Sequence, residues 1–179
     1  MSRNRETKKN RLFLTCPSGF MEPPVRKAFG GNSYFYTAVG VFFEWDEATQ
    51  NSISGFLQRR NISEIYFVGN IDNPLYSGIM HDSTILLRQP WQRQLAQGYA
   101  NLKMSTKGQL GAKIETQLLL ATHLKCQIHR LRESTILGRY IGKEDIRMSA
   151  FIYDPADASF INEAEVRRRA KVLQGICVN

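Results

Sequence analysis

The sequence is poor in the residues that build metal and redox sites, with three histidines and three cysteines among 179 residues. Cys16, Cys126 and Cys177 are odd in number and far apart, and no Cys-x-x-Cys pair occurs. That spacing argues against a disulfide framework, a structural zinc ribbon and a dithiol redox motif. No apolar window approaches the roughly 20 residues of a membrane span, and the amino terminus is charged where a signal peptide would be apolar. The expectation is a cytoplasmic protein with no membrane association. Internal repeats and low-complexity tracts are also absent.

What is present suits one globular unit. A hydrophobic content of 42% over this length supports one sizeable core and is too short for two. We expect a flexible basic tail over residues 1–10 and a single domain over residues 11–179. The net charge of +8 and pI near 9.6 would attract anions or nucleic acid. Much of the excess sits near the termini, in Arg3, Arg5, Lys8, Lys9 and Arg11 and in Arg167, Arg168, Arg169 and Lys171. Solvated ends are the favoured reading of that pattern, so a nucleic-acid partner is not expected.

Strand and helix signals alternate along the chain. Leu12-Phe13-Leu14 and Ile65-Tyr66-Phe67-Val68 are short apolar runs closed by turn residues, as in strands buried on both faces of a parallel sheet. Between them lie a short helix at 25–29 framed by Pro23-Pro24 and Gly30-Gly31, and a strand from Tyr34 towards Val41. A helix follows, capped by Asp46 and ending near Arg60. Pro74 opens another helix in the position where a missing donor costs nothing. Residues 89–108 carry Gly98 and Gly108 and predict an irregular, interrupted helical insert. Leu110, Ile114, Leu118, Ala121, Leu124, Ile128 and Leu131 recur at helical spacing over 109–132. A short helix at 136–140, a strand at 146–153, an extended piece at 159–161 and a terminal helix from about 162 to 173 complete the reading. The alternation favours an α/β sheet.

Two segments stand where ligands gather in such sheets, beyond the carboxyl ends of strands: Thr15-Cys16-Pro17-Ser18-Gly19-Phe20 and Gly69-Asn70-Ile71-Asp72-Asn73. Cys16, Ser18, Phe20, Asn70, Asp72 and Asn73 are the candidate cleft residues; no catalytic residue is assigned. Cys16 lacks a histidine base in either segment, so a small buried thiol is favoured over a nucleophile. Ser18 has the ordinary role of closing its turn. His123-x-x-Cys126-x-x-His129 has spacing that brings two of its members to one helix face, but the third rotates away and the face is claimed by leucines and isoleucine. Tyr34, Phe35, Tyr36, Phe42, Phe43 and Trp45 are read as core and interface packing rather than a base-stacking surface.

The order of these pieces resembles the β-class carbonic anhydrases over nearly the whole chain after residue 11. The family pattern runs from a strand ending in Cys-x-Asp-x-Arg, with prolines soon after, to a strand closed by a glycine segment. A helix, a strand ending in Gly-His-x-x-Cys-Gly, further helices and a late strand ending in Tyr-Asp follow. The counterparts are Leu12 to Cys16, Pro23-Pro24, Tyr34 to Gly40, the helix to Arg60, Ile65 to Gly69 and Phe151-Ile152-Tyr153-Asp154. The resemblance implies a mainly parallel four-stranded sheet in the order 2-1-3-4, with a short extra edge strand and flanking helices.

It also implies where zinc would sit in active relatives, on the first Cys and on the His and Cys of the second motif, beside an Asp–Arg pair. Cys16 matches the first. Asn70 stands at the His position, Asn73 at the second Cys position, Ser18 at the Asp and Phe20 at the Arg, so that Phe20 is expected to fill the mouth with apolar surface. Neutral carboxamides are poor zinc donors. No cofactor is therefore expected, and a zinc site rebuilt from Cys16 and Asp72 is disfavoured. The expected function is a binding or assembly module that has lost zinc and CO2 hydration, taking a small polar or anionic ligand. An enzyme with a rebuilt metal or cysteine site and a nucleic-acid binder using its basic ends are the alternatives. Relatives pair as dimers with a helical arm ahead of the first strand; the arm has no counterpart here, and a homodimer is still expected.

Overall fold

The computed structural model describes residues 9–81, 89–106 and 110–176. Five strands form one sheet in the order β2-β1-β3-β4-β5: β1 (Asn10–Thr15), β2 (Asn32–Thr37), β3 (Ile62–Asn70), β4 (Arg147–Asp154) and β5 (Ser159–Asn162). The first four are parallel and β5 runs antiparallel to β4. The helices are α1 (Glu22–Phe29), α2 (Glu47–Arg60), α3 (Pro74–His81), α4 (Pro90–Thr106), α5 (Ala112–Arg132), α6 (Leu137–Lys143) and α7 (Glu163–Ile176). The expected sheet order and the extra edge strand are both found.

Because successive strand side chains point to opposite faces, the apolar runs feed two cores. Leu12, Leu14, Ile65, Phe67, Ala150 and Ile152 enter the larger one with Leu57 of α2 and Leu120 and Leu124 of α5. Phe13, Tyr66, Val68 and Phe151 face the other way, where Met21 and the α1 residues Val25 and Phe29 meet them. There Phe13 stacks on Phe35 and meets Phe29 and Tyr66 edge-on, with centroids 5.3 to 5.6 Å apart. Such geometry adds to burial alone.

Local signals act as read at most element ends. The Asp46 carboxylate accepts the Thr49 N–H at 2.7 Å and caps α2, and Asn61 closes that helix in the left-handed conformation. Three expectations fail. The strand ending towards Val41 stops at Thr37; Gly40 (φ 66°) and Val41 (φ 56°) are left-handed and turn the chain inward. The irregular insert at 89–108 is instead the continuous helix α4. Leu95, Tyr99, Leu102 and Thr106 follow a helical four-three-four spacing towards the core, and Gly98 abuts Leu119 without breaking the helix. The domain also starts earlier than residue 11, since Asn10 opens β1 and Lys9 pairs with the buried Glu64 at 3.2 Å. The expected tail up to residue 8, and Cys177, lie outside the described residues.

Candidate functional site: the cleft at the carboxyl ends of β1 and β3

Strand β1 delivers Cys16 into a short turn, Pro17–Gly19, and β3 delivers Asn70 into the turn that starts α3. The two turns lie against each other. The Cys16 thiol is buried, at 3% exposure; its sulphur accepts the Gly40 N–H at 3.2 Å and lies 3.0 Å from Ser18 Oγ. Ser18 donates onward to Asn73 Oδ1 at 3.2 Å. Asn73 Oδ1 also accepts the Leu75 N–H at 3.1 Å, so this side chain is the N-cap of α3, with Pro74 next in the chain. Asn70 donates from Nδ2 to the Gly19 carbonyl at 3.3 Å and accepts the Asp72 N–H at 2.9 Å on Oδ1. Cys16, Ser18, Asn70 and Asn73 thus form one knot, as their sequence positions predict. One atom in it is unsatisfied: Asn73 Nδ2 is buried with no hydrogen-bond partner among the described residues.

Two expected members stand apart. Phe20 does not fill the mouth of the cleft; it is 82% exposed. Its left-handed backbone (φ 48°) at the end of the turn reverses the chain, so that the neighbouring Met21 enters the core instead. Asp72 is exposed and lines an adjacent open cleft of about 220 Å³ with Ile71, Lys113, Thr116, Asp154 and Ala156. There Lys113 pairs with the buried Asp154 at 2.6 Å, and that hydrogen bond is the main reason its ammonium is held above the usual lysine range. Asp72 is no partner of Cys16 in this arrangement.

Of the residues that anchor the knot from below, Gly40 and Tyr76 were not singled out from sequence as site residues, and His123 was read only as part of a metal-spaced constellation. The Gly40 peptide donates to Cys16, while its carbonyl accepts the Tyr76 hydroxyl at 3.2 Å and lies 2.8 Å from His123 Nε2. Both side chains are deeply buried. Burial raises the Tyr76 phenol far above its ordinary range. Burial pushes His123 down to about 4 despite its contacts with the Gly40 and Val41 carbonyls. The imidazole is therefore neutral near pH 7. A glycine inside an apolar run is a signal of close backbone approach, and Gly40 carried it. The His123, Cys126 and His129 constellation does not assemble: Cys126 receives a hydrogen bond from Gln94 Nε2 at 3.1 Å, and His129 sits in solvent beside Glu133.

Charge is distributed unevenly around this end. The loops past the strand carboxyl ends, residues 16–22, 37–47, 70–74 and 154–158, hold Glu22, Glu44, Asp46, Glu47, Asp72, Asp154 and Asp157 and contain no lysine or arginine.

No family model matches the chain and no curated protein matches it by sequence. Solved structures do. The β-carbonic anhydrase CafD of Aspergillus fumigatus superposes with a TM-score of 0.68 at 18% identity, over 90% of this chain and 93% of that one. CafA of the same fungus gives 0.70 at 11% identity over 92% and 83%. A tetrameric β-carbonic anhydrase of Sordaria macrospora gives 0.70 at 12% identity over 87% and 80%.

The fold is that of the β-carbonic anhydrases. The cleft between the ends of β1 and β3 can thus be judged as a zinc site of a β-carbonic anhydrase fold. Cys16 is the single thiolate-capable residue in the knot, and both carboxamides use their oxygens on backbone N–H groups. Among the described residues no group of three or more His, Cys, Asp or Glu converges anywhere. Zinc in proteins is bound by sulphur, imidazole or carboxylate donors in a tetrahedral set. The knot offers one such donor, and it does not fit the ion.

Proposed function

We propose that the protein uses the β-carbonic anhydrase fold without zinc and without CO2 hydration, as a non-catalytic binding or assembly module. The observation carrying this reading is the donor set. By the family resemblance Asn70 and Asn73 stand at the places of an imidazole and a thiolate; each oxygen accepts a backbone N–H of its own turn, while Asn70 Nδ2 on the Gly19 carbonyl and Ser18 Oγ on Asn73 Oδ1 join the two turns. Without a bound metal to acidify water, no hydroxide nucleophile is available near neutral pH. Cys16 gains no support as a nucleophile, because it is buried and reaches an imidazole only through the Gly40 peptide. Metal analysis of protein purified without chelator should find well below one zinc per chain, and a hydration assay should match the buffer blank. Stoichiometric zinc with turnover would overturn the reading.

The ligand class follows from what the cleft leaves free. The unsatisfied Asn73 Nδ2 is a donor for an acceptor atom, and although Lys113 pairs with Asp154 and Asp157, the remaining carboxylates of Glu44, Asp46, Glu47 and Asp72 disfavour an anion. A small neutral polar molecule suits both facts. Edge strand β2 pairs only with β1 and carries Tyr34, Phe35 and Tyr36 half-buried, which supports a homodimer formed through that edge. Light scattering should report near twice the 20.5 kDa chain mass. A mass that stays at one chain across a hundredfold concentration range would remove the dimer.

A further inference from the structure

We propose that the amino-terminal end of the sheet, opposite the cleft, is a docking surface for the phosphate backbone of nucleic acid. The segments that lead into the four parallel strands are residues 9–11, 26–32, 59–64 and 143–147. They carry Lys9 and Arg11 at β1, Arg26 and Lys27 ahead of β2, Arg59 and Arg60 ahead of β3, and Lys143 and Arg147 at β4. Against these eight cations stand Glu64, Glu144 and Asp145 within the same segments and Glu22, which pairs with Arg26 at 3.7 Å. Parallel topology brings all four segments to one edge. With strands about 4.8 Å apart the cations span about 15 Å, enough to face several phosphates of one strand.

Of the terminal charge noted in the sequence only Lys9 and Arg11 belong to this surface, and every residue named lies within the described fold. Helix dipoles account for part of it: Arg59 and Arg60 complement the carboxyl end of α2. They do not account for Arg11 of β1, Arg147 of β4 and Lys9 just ahead of β1, which converge on the single buried carboxylate of Glu64. One negative charge cannot neutralise three positive ones. Lys9 and Arg147 keep 48% and 62% of their side chains exposed, so the surplus faces solvent. Asn10, Asn32, Asn61 and Ser63 fill the same edge with hydrogen-bonding groups.

A nucleic acid suits this edge better than an anionic bilayer. Stable membrane docking combines charge with an apolar wedge, and among the described residues the exposed large hydrophobic side chains, Phe20, Val39 and Met104, lie elsewhere, the first two on the acidic cleft side. That acidic side also orients the molecule, turning the basic edge towards a polyanion.

The test measures anisotropy of a fluorescein-labelled single-stranded RNA of about 20 nucleotides against the full chain, at low and moderate salt. Wild-type binding should weaken steeply as salt rises. Arg59→Glu with Lys143→Glu, two positions that do not touch Glu64, should weaken low-salt binding by about tenfold or more. Lys125→Glu with Lys171→Glu removes the same net charge from exposed positions elsewhere and should change it by less than about twofold. Unchanged thermal melts establish that the variants fold, and the milder Arg59→Gln with Lys143→Gln should fall between wild type and the reversal. Absence of wild-type binding, equal losses in both charge-reversed pairs, or binding to phosphatidylserine vesicles but not to RNA would each overturn the proposal.

Discussion

Replacing Asn70 by His and Asn73 by Cys is expected to raise retained zinc to about one ion per chain, from the content of well under one proposed for the wild type. The argument is geometric. Ser18 Oγ already lies 3.0 Å from Cys16 Sγ and 3.2 Å from Asn73 Oδ1, while the Gly19 carbonyl holds Asn70 in the same knot. The scaffold therefore brings the three side chains together, and what is missing is donor chemistry. The change has a cost, because Asn73 caps α3 through the Leu75 N–H; losing an N-cap destabilises by about 1 kcal/mol. Zinc binding at a three-ligand site exceeds that. Metal content after exhaustive dialysis, beside the wild type, checks the prediction. A folded double variant that holds no zinc would mean that the turns themselves, and not Asn70 and Asn73, close the site to a metal. Hydration activity is not expected to return in full, since Ser18 and Phe20 stand where the resembled family places an Asp and an Arg.

Glu64→Gln is expected to lower stability by about 3 kcal/mol, with a fall in melting temperature of about 10 °C for a chain of this size. Burial alone would raise the Glu64 pKa. Hydrogen bonds from Arg11, Tyr66 and Lys9, with the Arg11 charge, outweigh it and hold the carboxyl at about 2, against an ordinary 4.5. Arg11 bonds it at 2.7 Å and Tyr66 at 2.8 Å, and Arg147 adds a third cation. A neutral amide leaves Arg11, whose side chain is only 18% exposed, without its counter-charge. The pH dependence has a definite sign. The folded-state pKa lies below the unfolded one, so the unfolded chain binds the extra proton. The stabilisation is complete above about pH 5 and disappears as pH falls towards 2. Chemical denaturation at pH 7 and pH 3 should therefore show a large gap between wild type and variant that narrows on acidification. Equal stabilities at pH 7 would show that the carboxylate contributes no net stabilisation.

Glu64 and the knot also show what was legible in the residues. Alternation in Leu12-Phe13-Leu14 and in Ile65 to Val68 is a local property, and it announced the strands, their two faces and the placement of Cys16 and Asn70 at their ends. The cap at Asp46 and the start at Pro74 are equally local. Glu64 looks like an ordinary strand-edge residue in sequence; its importance comes from Lys9 and Arg11, more than fifty positions away, and from Arg147 further on. Helix α4 was misread because Gly98 and Gly108 suggest a break, whereas Leu95, Tyr99 and Leu102 pack on the core and outweigh weak propensity. Phe20 was misplaced because the outward turn rests on a single left-handed φ.

Hydrophobic period, caps and strand termini are written within a few neighbouring positions, and they specified the alternating α/β architecture, the ends of most elements and the placement of Cys16 and Asn70 at the ends of β1 and β3. Long-range pairing decided that Gly40 ties Cys16 to Tyr76 and His123, that Phe20 faces solvent, and that the strand-entry segments are richer in cations than the strand-exit loops. Those outcomes depend on which distant segments parallel pairing brings side by side, and that information is carried by the sheet's topology rather than by any one stretch of chain.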